Sequence, residues 1–195
     1  MTDHFALIDF LVNGVLFWLA IGLFILQAYN VLFHKGIPNI RTAPAIREKL
    51  IALLKEDFEA RGENPYTIID LGSGNGHLTR EIAKALPQAR VIGLEIARLS
   101  LTWANWRKKL ARLENLTYKR TNFLAYDLSE ASAVVMYLIP PLMKPVGEKL
   151  HKEARSGTLV LSNKFQLGDG WIPEDTLRVK TLYLHQGNLH IYRKS

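Results

Sequence analysis

The sequence predicts an α/β fold: a doubly wound, mostly parallel sheet with helices on both faces, preceded by one hydrophobic helix. Three observations carry that expectation. Short apolar, β-branched runs alternate with helix-length stretches from Thr67 to Leu161, the rhythm of strand and crossover units. A glycine-rich turn follows directly on the first of those runs, and a carboxylate closes the second. Finally, residues 10–33 carry no charged side chain.

Length and composition set the outer limits. A chain of 195 residues has room for one domain of ordinary size plus an appendage. With 48% hydrophobic and 22% charged residues, it is neither a disordered tail, nor a collagen, nor a polytopic membrane protein. The absence of cysteine excludes a disulfide framework, a thiolate metal site and a cysteine nucleophile, and permits a reducing compartment. All 25 Lys and Arg lie at or after Lys35, whereas Asp3 and Asp9 precede it, so the part from Lys35 onward carries 25 minus 16, or +9. A basic domain of this size can face nucleic acid, an anionic membrane or an acidic substrate.

The first element is the uncharged run Phe10–Phe33. As a helix it would span roughly 36 Å, enough to cross a bilayer. Acidic residues precede it and Lys35, Arg41, Arg47 and Lys49 follow, which by the positive-inside rule keeps the bulk of the protein on the cytoplasmic side. A cleaved signal would need a basic start and a small-residue cleavage site, whereas this chain begins MTDHFALIDF and leaves the run through Tyr29, Val31, Leu32 and Phe33. The expectation is a retained anchor; the alternative is a buried core helix of an oligomer.

After a short linker, Thr42 is a candidate N-cap with Pro44 in the first turn. Ile46, Leu50, Leu53, Leu54 and Phe58 recur at helical spacing until Gly62 and Pro65. Thr67–Leu71 is the first strand. It runs into Gly72-Ser73-Gly74-Asn75-Gly76, and a helix is expected from about His77 to Leu86. The glycines let the backbone turn tightly and approach a ligand, and the helix N-terminus offers unpaired N–H groups. The second strand, Arg90–Leu94, ends in Glu95, where a carboxylate can accept both hydroxyls of a ribose. Strands follow at Leu116–Arg120, Ala133–Leu138 and Thr158–Leu161, with a helix from about Leu142 to Lys152 before the last of them. Thr176–Leu184 and Leu189–Tyr192 flank Gln186-Gly187-Asn188, which reads as a hairpin turn.

The glycine loop separates two cofactor classes. A nicotinamide or flavin dehydrogenase spaces its glycines Gly-x-Gly-x-x-Gly, whereas Asp70–Gly76 reads DLGSGNG. This resembles the first motif of class I S-adenosylmethionine-dependent methyltransferases. The resemblance implies that Asp70 helps hold the methionine part and that Gly72, Ser73, Gly74, Asn75 and Gly76 pass beneath the cofactor. It also implies that Glu95 takes the ribose, and that Asn122 and Phe123 meet the adenine amino group and ring. The fold it implies is Rossmann-like, with seven strands ordered 3-2-1-4-5-7-6 and the last antiparallel. Residues 1–34 then form a membrane anchor spanning about 10–33, residues 35–64 a linker and N-terminal helix, and residues 65–195 the S-adenosylmethionine-binding methyltransferase domain.

GIPNIRTAPAIREKL, LSLTWANWRKKL and VVMYLIPPLMKPVGEKL further resemble the small protein-lysine N-methyltransferases, which include archaeal soluble enzymes and membrane-anchored mitochondrial ones. That resemblance implies single-pass attachment to a bilayer through the N-terminal helix, with the catalytic domain on the cytoplasmic or matrix side. It implies a membrane-associated protein substrate with a methylatable lysine. Asn-Pro-Pro-Tyr does not occur, so a nucleic-acid substrate is not favoured. Methylation of a lipid or small amphiphile, and a cofactor-binding membrane module without turnover, stay open as alternatives.

Methyl transfer to nitrogen needs an in-line approach of a neutral lone pair. A lysine with a pKa of ~10.4 must first lose its proton. Tyr137 is the candidate for orienting that nitrogen, Pro140 and Pro141 for shaping the channel, and Asn163 for a lesser role; an ordinary buried tyrosine and a helix-starting proline pair is the alternative. Trp103 and Trp106 share one helix with Leu99 and Leu110 and are expected to pack in the core or on a membrane surface. Arg98, Arg107, Lys108, Lys109 and Arg112 give the same helix a basic face suited to lipid headgroups; an ordinary solvated charged face is the alternative. The six histidines show no metal-ligand spacing, and no metal is expected.

Overall fold

A computed structural model describes residues 12–27, 41–168, 170–180 and 186–195. The chain divides into two compact units, Met1–Ile40 and Arg41–Ser195.

In the first unit the described residues form one helix, α1, over 12–27. Its successive side chains Val15, Leu16, Phe17, Trp18 and Leu19 are all exposed, and at about 100° per residue five neighbours cover the whole circumference. The expected transmembrane helix over 10–33 is thus described only in its central part. Sixteen helical residues rise about 24 Å, short of a hydrocarbon core of roughly 30 Å. Among the described residues no helix is long and apolar enough to cross a membrane. The two ends of the expected span lie outside the described residues.

The second unit runs α2 (Pro44–Arg61), β1 (Thr67–Leu71), α3 (His77–Ala85), β2 (Arg90–Glu95), α4 (Arg98–Leu110) and β3 (Leu116–Arg120). A 3-10 turn at Phe123–Ala125, β4 (Ala133–Met136), α5 (Pro140–Glu153), β5 (Leu159–Asn163), β6 (Asp175–Lys180) and β7 (Gln186–Arg193) complete it. The seven strands form one sheet in the order β3-β2-β1-β4-β5-β7-β6. β1 to β5 are parallel, and β7 is antiparallel to both β5 and β6. This is the expected Rossmann-like sheet.

Alternation along the strands builds two cores. Ile68, Val91 and Val135 point to one face, where Leu50 and Leu54 of α2 and Ile82 of α3 cover them. Ile69, Ile92 and Val134 point to the other, beneath Val146 and Leu150 of α5. Each such aliphatic side chain stabilises the fold by about 1.5–3 kcal/mol on burial, and a strand covered on both faces must be apolar throughout. Buried Asp57 of α2 is paired: it accepts from Tyr66 Oη at 2.6 Å and pairs with Arg61 and Arg193 at 2.9 and 2.7 Å.

Several boundaries differ from those expected. Ala43, not Thr42, is the residue before α2, and no side chain caps it; Pro44 occupies the first turn because it has no N–H to leave unpaired. Gly62 ends the helix in the left-handed conformation, φ 57°, with its N–H on Phe58 O. β4 stops at Met136 and α5 begins at Pro140 rather than Leu142, whereas β5 continues to Asn163. Gln186-Gly187-Asn188 is not a turn. These residues lie in β7, opposite Lys180, Val179 and Arg178. The register brings Leu177 opposite buried Leu189, with Leu177 and Val179 packed on the α2 face of the core. The connection between β6 and β7 falls in 181–185, outside the described residues.

Candidate active site

The site is assembled at the carboxyl ends of β1, β2 and β4, where an open parallel sheet whose order reverses leaves a crevice. β1 is the switch strand, with β2 on one side and β4 on the other. The chain leaves β1 through Gly72, φ 76°, and enters α3 through Gly76, φ 69°, which precedes its first turn. A Cβ on Gly76 would collide with the Tyr118 hydroxyl and with Ala104, so loop, α4 and β3 meet here too closely for any side chain. Gly72 N and Ser73 N both donate to Leu94 O at 2.9 Å, fastening the loop to the tip of β2. Arg80 of α3 donates to Asn75 O at 3.0 Å and holds its other end.

Glu95 completes the cradle. Its Oε2 accepts from Gly74 N at 2.9 Å, and its Oε1 accepts from Ile96 N and Ala97 N, both at 2.8 Å. A carboxylate offers about four acceptor positions. Three are in use, so Oε2 retains room for one further donor. The arrangement suits an S-adenosyl cofactor: a fixed carboxylate open to a ribose hydroxyl, a glycine-rich loop beside it, and a helix N-terminus beyond.

Asp70 lies deeper than the sequence suggests. It is 3% exposed, and its Oδ2 accepts from Thr79 Oγ1 of α3 at 2.6 Å. Burial pushes its carboxyl up to about 7; the Thr79 hydrogen bond opposes that rise and the charge of Glu95 adds to it. Around neutral pH it therefore exchanges a proton easily, and a nearby cation would favour its ionised form.

On the other side of the switch, Leu71 pairs with Met136, and Met136 with Ser162. Tyr137 directly follows β4 and Asn163 closes β5, so both lie at the ends of neighbouring strands. Tyr137 is half-buried, and burial raises its hydroxyl above the ordinary tyrosine range, so it is neutral at physiological pH. Asn163 is 3% exposed. Pro140 opens α5 at the same edge and is exposed. Leu138 touches the loop: a Cβ on Gly72 would lie 3.0 Å from its Cδ2. Asn122 is exposed and accepts from Leu124 N at 3.0 Å, which orders the 3-10 turn and seats half-buried Phe123 at the end of β3.

Sequence reasoning missed three participants. Thr79, which holds Asp70, sits three residues past Gly76 on the inner side of α3, a position only the fold reveals. Leu138 reads in the sequence as the last residue of a strand, whereas β4 ends at Met136. Ile96, 57% exposed, donates its N–H to Glu95 and sets an apolar surface beside that carboxylate; its place directly after the acid was the available signal.

Comparison with known proteins agrees with this geometry. A family model described as the ANTKMT methyltransferase domain matches residues 70–175. A protein-lysine N-methyltransferase of Saccharolobus islandicus is 27% identical over 161 residues, covering 76% of this chain and 94% of that protein. Among solved structures, an RNA methyltransferase from Salinibacter ruber in complex with S-adenosyl-L-homocysteine has a TM-score of 0.66 at 23% identity, covering 79% of this chain and 93% of that one. Precorrin-6y C5,15-methyltransferase from Geobacter metallireducens has a TM-score of 0.56 at 17% identity, covering 75% and 88%. These structural likenesses speak for the fold. Together with the glycine loop and Glu95, the family match means that the chain belongs to the ANTKMT methyltransferase domain family and is a class I S-adenosylmethionine-dependent methyltransferase.

Proposed function

We propose that this enzyme methylates the ε-amino nitrogen of a lysine in a membrane-associated protein. The observation that carries the reading is the likeness to the Saccharolobus islandicus protein-lysine N-methyltransferase, which covers 94% of that protein and so includes the substrate side of the fold as well as the loop. S-adenosylmethionine supplies an electrophilic methyl group on a sulfonium. The residues that would hold it are Asp70, Glu95 and the loop from Gly72 to Gly76, with Asn122 and Phe123 toward the adenine.

What this chain contributes beyond binding is position. Tyr137, neutral and just beyond the end of β4, offers a hydroxyl oxygen that accepts from an incoming amine and aims its lone pair. Pro140, rigid at the start of α5, borders the approach. Burial of the amine favours its neutral form, and the released proton goes to solvent.

The membrane part of the proposal rests on the uncharged run 10–33 and on α1, whose apolar side chains are exposed around its circumference. Lys35, Arg41, Arg47 and Lys49 follow the run and favour a cytoplasmic or matrix location for the catalytic unit. The test is to incubate the full chain with methyl-labelled S-adenosylmethionine and its native membranes, then to separate protein from lipid. Label in a membrane protein, recovered as methyl-lysine and lost with Asp70→Ala, is the expected result. Label in the organic extract instead would replace a lysine with a lipid as the substrate.

A further inference from the structure

The large apolar residues of α4 face outward. Leu99, Trp103, Trp106 and Leu110 are 47%, 54%, 52% and 66% exposed, whereas the buried face consists of Ser100, Leu101 and Ala104. At about 100° per residue the four exposed side chains fall within about 60° of one another, a single stripe roughly opposite the buried face. The stripe is ordered: the indole rings of Trp103 and Trp106 meet edge to face with centroids 5.6 Å apart, and the Arg107 guanidinium lies 6.0 Å from the Trp103 ring.

Charge borders the stripe on both sides. By the same geometry Arg107 lies along one edge and Arg98 and Lys109 along the other, and the segment 96–112 contains five basic residues and no acidic one. On the Arg98 side a depression of about 510 Å³ opens between α4 and β3, where Arg98, Lys109 and Arg120 line one wall system with Asn105 and Trp106. Trp106 therefore belongs to both the apolar stripe and the cationic groove.

We propose that α4 is an interfacial helix that seats the catalytic unit on an anionic lipid bilayer. Its Leu and Trp stripe enters the headgroup boundary, and Arg107 on one edge and the Arg98–Lys109–Arg120 groove on the other take lipid phosphates. An apolar stripe flanked by cations, with tryptophans whose rings are apolar and whose N–H groups are polar, is the pattern of a helix lying in a membrane surface. A nucleic-acid backbone would be met by the cations but would leave the leucines exposed. A second copy docked on this face would bring two sets of cations together with no acid between them. The proposal is independent of α1 and of the lysine reading: failure here leaves protein methylation standing, and failure there leaves lipid docking standing.

The absence of cysteine allows a single thiol probe in the full chain. Leu110→Cys carries an environment-sensitive fluorophore on the stripe; Ile172→Cys, at a site 87% exposed between β5 and β6, is the control. With phosphatidylcholine vesicles containing about 30% phosphatidylserine, emission at position 110 rises about threefold and shifts to the blue, and reverts at about 0.5 M salt. Position 172 does not respond, nor does position 110 with pure phosphatidylcholine. Arg107→Glu with Lys109→Glu abolishes the response while calorimetric affinity for S-adenosylhomocysteine is kept; if that pair does not bind the cofactor product, Arg107→Gln with Lys109→Gln is read in its place. An equal response on neutral vesicles or at position 172 would overturn the proposal. A rise that needs only higher protein concentration would assign the face to a second copy, and one that needs RNA or an acidic protein would assign it there; either refutes lipid docking.

Discussion

Asp70 shows how one buried carboxyl links cofactor binding to stability. In the folded protein it holds its proton to about 7, against an ordinary value of 3.8. Between those values the native state binds more protons than the unfolded chain, so the stability of the empty enzyme falls as pH rises. A cationic cofactor favours the carboxylate, and below about pH 7 binding must expel the proton; affinity therefore climbs toward pH 7 and levels off above it. Asp70→Asn keeps an acceptor for Thr79 and removes the charge. Its melting temperature without ligand should exceed that of the wild type by a margin that widens from about pH 5 to about pH 8. Its affinity for S-adenosylmethionine should be lower and lose the rise toward pH 7. Scanning fluorimetry and calorimetry read both, and a margin that does not change with pH would mean that Asp70 does not store a proton. Tyr137 makes a simpler claim. If its hydroxyl aims the amine, Tyr137→Phe should lower kcat by about 10- to 100-fold, leave S-adenosylhomocysteine affinity unchanged, and keep the increase of rate with pH that reflects amine deprotonation. Wild-type kcat in the variant would remove Tyr137 from the chemistry.

At the scale of elements, the contact of loop, α4 and β3 explains both what could be read from the sequence and what could not. The loop was legible because DLGSGNG encodes a local demand: glycines where φ is positive, at the junction of an apolar strand and a helix. Even so, the Thr79 hydrogen bond to Asp70 was invisible, because it depends on how α3 lies across β1. The face of α4 stays open in the sequence for a related reason. Periodicity allows its large apolar residues either the core or a surface; they are exposed, and the inner face carries Ser100, Leu101 and Ala104, since Ala104 must sit against Gly76 beside the Tyr118 ring. The β6–β7 turn was misplaced because Gly187 resembles a turn residue, whereas the pairing of Leu177 with Leu189 sets the register. The close contact can be tested directly. Gly76→Ala adds a Cβ at φ 69° against Tyr118 and should cost about 2–4 kcal/mol in denaturant unfolding. Tyr118→Phe removes the hydroxyl that donates to Gly76 O at 3.1 Å and also the nearest atom in the clash, so the double variant should recover part of the loss. Simple additivity would show that the two positions do not press on one another.

For the whole molecule, the distribution of charge is the property that composition alone makes plain. Two acids precede a run of 24 uncharged residues, and a segment of net +9 begins at Lys35. Under the proposed function this run would hold the catalytic unit near one membrane face, where tethering to the surface that carries the substrate would raise the effective concentration without any new contact. Leu19→Lys with Leu23→Lys places two ammonium groups in the middle of the run, each costing about 2.5–3.5 kcal/mol on an insertion scale. The variant should move from the membrane pellet to the supernatant on alkaline extraction. Its methylation of a membrane-embedded protein should fall by at least about tenfold, while its turnover of a lysine peptide in solution and its affinity for S-adenosylhomocysteine stay at wild-type values. Retention in the pellet with undiminished labelling of membrane protein would show that residues 10–33 do not act as the tether. Loss from the pellet without loss of that labelling would mean that the catalytic unit finds its substrate by its own surface, and α4 would then be the part of the molecule to alter next.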